Sequence, residues 1–293
     1  MSLQRTIRIL LSGVAALLLA AAPAAAQVRV GSKNFTEQFI VAEIYAQALE
    51  AAGIKVERKL NLGGTLIAQK ALEEKQIDLY PEYTGTMSLV VLKAPSMTDP
   101  KAVYDKVKAE YAAQGLVLLS QAPMNNTYNM VVRPETAAQY RLETVSDLAR
   151  VAKELKLGAG PEFRDRADGL PGLKSVYGIE FKEDLQMAIG LRYQALASKQ
   201  IDVVNGYATD GMISALKLKR LKDDRNLWPP YYLVPVVRRE ALDANPQIAG
   251  VLDRVNALLD EPTMAALNYR VDGEKEEPKD VARAFLKAKG IVR

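Results

Sequence analysis

The sequence predicts a two-lobed α/β protein, and three observations carry that prediction. Short apolar strands alternate with helical stretches from Val28 onward, the pattern that builds a largely parallel sheet covered on both faces. The alternation restarts near Asn129, after a first round of elements has reached Ser120. A segment of the first half also returns in the second. Ala71-Leu-Glu-Glu-Lys-Gln-Ile-Asp-Leu-Tyr-Pro-Glu-Tyr83 matches Ala195-Leu-Ala-Ser-Lys-Gln-Ile-Asp-Val-Val-Asn-Gly-Tyr207 at a constant offset of 124 (195 − 71 = 207 − 83). The shared Ala-Leu-x-x-Lys-Gln-Ile-Asp reads as one helix end, turn and buried strand used twice.

The chain opens with an export signal. Arg5 and Arg8 are followed by an apolar stretch from Ile9 to Ala22, and Ala24-Ala25-Ala26 precedes Gln27. The run is short, rich in alanine and ends in small residues, which favours cleavage near Ala26–Gln27 over retention as a membrane anchor. Residues 1–26 are therefore assigned to a signal peptide. The remaining 267 residues (293 − 26) suffice for two lobes.

Val28–Gly31 reads as a strand and Ser32-Lys33-Asn34 as a polar turn. Thr36-Glu37 starts an amphipathic helix through Ile40, Ile44, Ala48 and Ala51, closed by Gly53. Val56–Leu60 is the next strand, and Gly63-Gly64-Thr65 opens a helix running to about Glu74. Ile77–Tyr80 is a strand, Asp99–Ala113 a helix and Leu116–Ser120 a strand. The second round begins with a strand at Asn129–Arg133, a helix at Val145–Leu155 and a strand at Leu157–Gly160. A long helix is expected over Glu183–Lys199, then strands at Ile201–Asn205 and Val234–Arg238. Helical periodicity fills most of the rest, with a solvated turn at Glu274–Glu277 before the last helix.

Composition removes several kinds of chemistry. Without cysteine there are no disulfides, no thiol catalysis and no lipid on an N-terminal cysteine. A cleaved signal without a lipid anchor points to the periplasm. Without histidine, the usual zinc sites and His-based catalytic triads are excluded. The net charge of +4 falls to +2 once Arg5 and Arg8 are removed, and no dense basic patch speaks for nucleic acid.

Ligands of open α/β sheets sit outside the carboxyl ends of the strands. Tyr83 and Tyr207 each lie just beyond such an end, one per lobe. Either the two rings converge on one cleft, or each packs within its own lobe.

Five further motifs carry a resemblance. Gly31-Ser-Lys-Asn-Phe-Thr-Glu-Gln38, Tyr80-Pro-Glu-Tyr-Thr-Gly-Thr86, Gly160-Pro-Glu-Phe-Arg-Asp-Arg-Ala-Asp-Gly169, Gly206-Tyr-Ala-Thr-Asp-Gly211 and Pro229-Pro-Tyr-Tyr-Leu-Val-Pro-Val-Val-Arg238 occur in this order. Over essentially the whole chain after residue 26, the sequence resembles the substrate-binding proteins of quaternary-ammonium ABC transporters, whose solutes are glycine betaine, choline, carnitine and proline betaine. The resemblance implies a type II periplasmic-binding fold with two lobes, each a mixed, mostly parallel sheet flanked by helices, joined by a two-strand hinge. Lobe 1 would comprise residues 27–126 and 233–293, and lobe 2 residues 127–232.

By the same resemblance, Tyr83, Tyr128, Tyr207 and Tyr231 would cage the ammonium group, with Tyr232 as an alternative to Tyr231. Lys33, Thr86 and Arg166 would hold a carboxylate, with Arg164 the weaker alternative to Arg166. The chemistry explains the residue types. A trimethylammonium group has charge but no N–H donor, so electron-rich ring faces grip it where hydrogen bonds cannot. A carboxylate suits a lysine, a hydroxyl and a forked guanidinium. The partners implied are a small quaternary-ammonium ligand and a permease with its ATPase; a monomer is expected, and no cofactor or metal is called for. Two other readings remain: a periplasmic enzyme on a similar scaffold, and a receptor feeding a sensor. Glu82 and Asp210 lie near the proposed cage, but their spacing has no acid–base signature. Gly63-Gly64-Thr65 lacks the lysine and spacing of a phosphate-binding loop and reads as a tight turn lining the cleft.

Overall fold

Two five-stranded sheets organise the computed structural model, which describes residues 27–188 and 190–293. The export-signal reading of residues 1–26 lies outside the described residues. In chain order the strands are β1 (Val28–Gly31), β2 (Val56–Lys59), β3 (Leu79–Tyr83), β4 (Leu116–Leu118), β5 (Tyr128–Val132), β6 (Lys156–Ala159), β7 (Glu183–Gln186), β8 (Val203–Tyr207), β9 (Lys219–Leu221) and β10 (Leu233–Arg238). The α-helices of five or more residues are α1 (Thr36–Ala51), α2 (Thr65–Glu73), α3 (Pro100–Ala112), α4 (Pro134–Tyr140), α5 (Val145–Val151), α6 (Pro161–Asp165), α7 (Arg192–Ala197), α8 (Gly211–Ala215), α9 (Arg239–Ala244), α10 (Gln247–Asn256), α11 (Glu261–Asp272) and α12 (Pro278–Ala288).

The first sheet has the order β2-β1-β3-β10-β4 and the second β7-β6-β8-β5-β9. In each, a single strand runs against the other four: β10 is antiparallel to both β3 and β4, and β5 to both β8 and β9. The chain crosses from the first sheet to the second between β4 and β5 and returns between β9 and β10. The two crossings meet at an antiparallel bridge, Asn125 with Tyr232, where Tyr231 N donates to Asn125 Oδ1 at 2.7 Å.

The internal repeat has a structural counterpart. β3 and β8 occupy equivalent residues at the offset of 124, and each is the central strand of its sheet. The shared lysine closes the preceding helix in the left-handed conformation, with φ 61° at Lys75 and 62° at Lys199. The shared aspartate then ties three strands together at the sheet's far end. Asp78 accepts from Arg29 N on β1 at 2.8 Å and from Arg238 Nη1 at the end of β10 at 2.9 Å. Asp202 accepts from Lys156 N on β6 at 3.1 Å and from Arg133 Nη2 just after β5 at 2.8 Å.

Three expectations need correction. The strand expected at Ile77–Tyr80 is Leu79–Tyr83, so Tyr83 and Tyr207 are the last residues of their strands instead of lying beyond them. The helix α1 is buried nearly all round instead of along one stripe: Val41, Tyr45 and Leu49 are covered as fully as Ile40 and Ile44. It lies between β1 and β3 and the helices α10, α11 and α12, which explains why even its polar residues Gln38, Glu43 and Gln47 are buried. The long helix expected over Glu183–Lys199 is a strand followed by the short helix α7. β7 pairs in parallel with β6 at the sheet edge, and its residues are exposed. Edge charges fit this position: Glu183 meets Lys156 at 3.1 Å and Asp184 meets Arg164 at 2.8 Å. Pairing with β6 overrides a helical pattern because strand preference is largely set by context.

Candidate functional site

The site lies between the sheets, where the C-terminal ends of β3 and β8 face each other. Tyr83 closes β3 and Tyr207 closes β8; Tyr128 begins β5 and pairs in register with Tyr207, and Tyr231 precedes β10. Together with Lys33, Thr86 and Arg166, these tyrosines line one small space, so all seven residues expected from the sequence are brought together. Phe35, Asn126 and Glu162 complete the lining. The water-accessible core is about 30 Å³, so the cleft is shut down to the size of a water or so.

The rings form one cluster across the cleft. Phe35 stacks between Tyr83 and Tyr207, with centroids 6.4 and 6.1 Å away. Tyr128 stacks on Tyr207 at 5.1 Å and meets Tyr231 edge-on at 5.8 Å. Protein cations already lie over these faces. Lys33 Nζ is 4.8 Å from the Tyr83 centroid and 5.7 Å from that of Phe35. The Arg166 guanidinium is 5.5 Å from Tyr128, and that of Arg192 is 4.9 Å from Tyr207.

Each cation is held by its own carboxylate. Lys33, 3% exposed, donates to Glu82 Oε1 at 2.5 Å. Arg166 forks onto Asp168 through Nε and Nη2 at 2.7 and 2.6 Å, and the Tyr231 hydroxyl donates to the same carboxylate. Burial opposes the Arg166 charge, but Tyr128, Asp168 and Tyr231 outweigh it and hold the guanidinium charged. Burial likewise pushes against the Asp168 charge, and Arg166 overcomes it, keeping the carboxyl below its ordinary range. Arg192, 1% exposed, donates to Asp210, which also accepts from Tyr193 Oη and Tyr207 N. Asp210 and Glu82 are thus engaged in holding cations and backbone. The phenols of Tyr83, Tyr128 and Tyr231 are pushed well up by burial and so are neutral donors at ordinary pH.

The alternatives separate by position. Arg164 is turned to the outside, paired with Asp184 on the edge strand. Tyr231 lines the space; Tyr232 does not and serves the crossing, where its N donates to Thr84 Oγ1 at 3.1 Å.

Phe35, Asn126, Glu162 and the buried Glu37 were not singled out from the sequence. Phe35 and Glu37 stand in the same motif as Lys33, and Glu162 in that of Arg166, so the signal lay two to four residues away. Glu37, on the first turn of α1, collects four donors: Tyr83 Oη at 2.6 Å, Asn126 Nδ2 at 2.8 Å, Thr209 Oγ1 at 2.5 Å and Asn268 Nδ2 at 2.9 Å. These come from β3, the first crossing, the loop after β8 and α11. Burial raises the Glu37 pKa despite the donors.

Comparison with known proteins gives the family context. The family model for the substrate binding domain of ABC-type glycine betaine transport systems matches residues 26–288. A glycine-betaine-binding protein of Pseudomonas aeruginosa is 39% identical, over 97% of this chain and 95% of its own length. An ergothioneine transport permease/ergothioneine binding protein of Helicobacter pylori is 34% identical over 88% of this chain and 47% of that longer protein. Among solved structures, a glycine betaine/carnitine/choline ABC transporter protein superposes with a TM-score of 0.76 at 33% identity, covering 90% of this chain and 99% of its own.

Proposed function

Starting from a chain that belongs to the family of substrate-binding domains of ABC-type glycine betaine transport systems, we propose that it binds a quaternary-ammonium solute in the tyrosine-lined cleft and delivers it to a transporter permease. The observation that carries this reading is the seating of Lys33, Arg166 and Arg192 over the faces of Tyr83, Tyr128 and Tyr207. Ring faces that hold the protein's own cations are suited in geometry and electrostatics to a methylated ammonium group. Each ring contributes about 0.5–2 kcal/mol, depending on desolvation.

Tyr83, Tyr128, Tyr207 and Tyr231 form the cage in this reading, and Phe35 adds a fifth ring. Lys33, Thr86 and Arg166 meet a carboxylate at the other end of the solute. Their cations are prepared for it: Glu82 and Asp168 hold them in place without the mutual repulsion that two bare charges would create. Residues 27–126 with 233–293 form one lobe, residues 127–232 the other, and the crossings at Asn125 and Tyr232 form the hinge. Solute contacts from both lobes drive closure, because only binding that differs between two states shifts their populations. The protein acts outside the cytoplasmic membrane, as substrate-binding proteins of ABC importers do, after removal of residues 1–26. Among the described residues no helix is long and apolar enough to cross a membrane.

Calorimetry of the chain without residues 1–26 against glycine betaine, choline, carnitine, proline betaine and ergothioneine tests the reading. At least one binds, and the solute is recovered chemically unaltered. Failure of all five at millimolar concentration removes this solute class, and conversion of a bound compound would point to an enzyme.

A further inference from the structure

Gly63 and Gly64 are glycines for different reasons. Gly63 has φ +131°, a conformation L side chains rarely adopt. Gly64 has φ −77°, open to any residue. A side chain is excluded there by Glu162: a Cβ on Gly64 would overlap Glu162 Oε1 and sit 2.9 Å from Glu162 Cδ.

Gly64 is also the N-cap of α2, a nine-residue helix whose cap residue offers no side-chain acceptor to the first turn. The acceptor comes from the opposite side of the cleft. Glu162, on α6 and 97 residues away, accepts from Thr65 N at 2.7 Å, and its other oxygen faces Thr65 Oγ1 at 3.4 Å. A carboxylate at the positive end of a helix makes a charge-assisted bond. The same carboxylate lines the solute cleft, with its Oε2 3.9 Å from Arg166 Nη1.

We propose that Glu162 is a closure latch that sets solute affinity by capping α2 only when the lobes are shut. With the lobes apart, water solvates both the Glu162 carboxylate and the first-turn N–H groups of α2. The bond therefore adds to the closed state alone and shifts the open–closed balance. Gly64 is the clearance the latch needs. The first consequence is kinetic: solute meets an open cleft in which the Glu162–Thr65 bond is not yet made, so latch variants release faster and capture at a nearly unchanged rate.

The latch rests on the quaternary-ammonium reading only for its effect on affinity; its effect on closure can be read without any solute. The absence of cysteine allows clean labelling. Spin labels at Lys70→Cys on α2 and Lys174→Cys in the other lobe, both exposed positions, report open and closed populations by dipolar spectroscopy. Glu162→Ala lowers the closed fraction without solute and, with the tightest compound of the calorimetric series, raises koff about tenfold while kon stays within about twofold. Glu162→Gln, which keeps an acceptor and drops the charge, lies between the alanine variant and the wild type. Gly64→Ala has the same effect as Glu162→Ala, yet adds nothing in a Glu162→Ala background, because the group it collides with is gone. Additive losses in the double variant, or a closed fraction unchanged by Glu162→Ala, overturn the latch. If no compound in the series binds, the solute reading fails, and the latch stands or falls on the solute-free populations of the same variants.

Discussion

Asp168 serves two site residues at once, the Arg166 fork and the Tyr231 hydroxyl, while its backbone carbonyl accepts from Trp228 Nε1 at 2.8 Å. Replacing it leaves a buried guanidinium without its counter-charge, so Asp168→Asn costs about 3 kcal/mol of stability in urea unfolding. A loss below about 1 kcal/mol would mean the guanidinium finds water instead. The sign of its pH dependence follows from its lowered pKa. The contribution is complete above the ordinary carboxylate pKa of 3.8 and is lost as pH falls through the lower folded value. At this scale the sequence was informative for residues whose type announces the chemistry: tyrosines at strand ends, a lysine in a polar turn, an arginine in a motif. Glu162, Glu37 and Phe35 were not legible, although all three stand inside quoted motifs. Their roles come from what approaches them across the cleft, and a single strand of sequence does not state which distant N–H a carboxylate will meet.

The helix α8, which follows β8, packs against α11, whose chain segment belongs with the first sheet. The approach is close: a Cβ on Gly211 would meet Ala265 O and lie 2.6 Å from Tyr269 Cβ. Gly211→Ala therefore pushes the helices apart and costs about 1–3 kcal/mol, read as a lower unfolding midpoint. An unchanged midpoint would show that α8 can tilt freely away. Among the elements, those with a buried apolar face were readable, and the repeat located both central strands through Lys-Gln-Ile-Asp. The exposed edge strand β7 was not. Its residues carry no core signal, and the spacing of Leu185 and the residues of α7 imitates a helix. The all-round burial of α1 was also invisible, because it depends on the late helices α10, α11 and α12 returning to cover its outer side.

Across the whole molecule, Glu37 gathers four chain segments from both sides of the cleft on one carboxylate. Burial raises its pKa above the ordinary 4.5, with the Asp210 charge acting in the same direction. The linkage is opposite to that of Asp168. Below 4.5 the raised pKa takes nothing from stability, and the loss grows as pH rises to the raised folded value and persists above it. Carboxyl ¹³C titration of Glu37 accordingly has its midpoint above 4.5, and a midpoint at or below that value would show the donors outweighing burial. The position of β10 has a consequence of another kind. All strands of the second sheet come from one unbroken stretch, residues 128–221, whereas the first sheet needs β10 inserted between β3 and β4 and α12 laid against α1. A chain emerging from its N-terminus can complete the second sheet as soon as that stretch is available, while the first waits for residues beyond 233. The sheet begun first is thus finished last, and until then its half of the cleft, Lys33 and Tyr83 included, stands on β1, β2 and β3 alone.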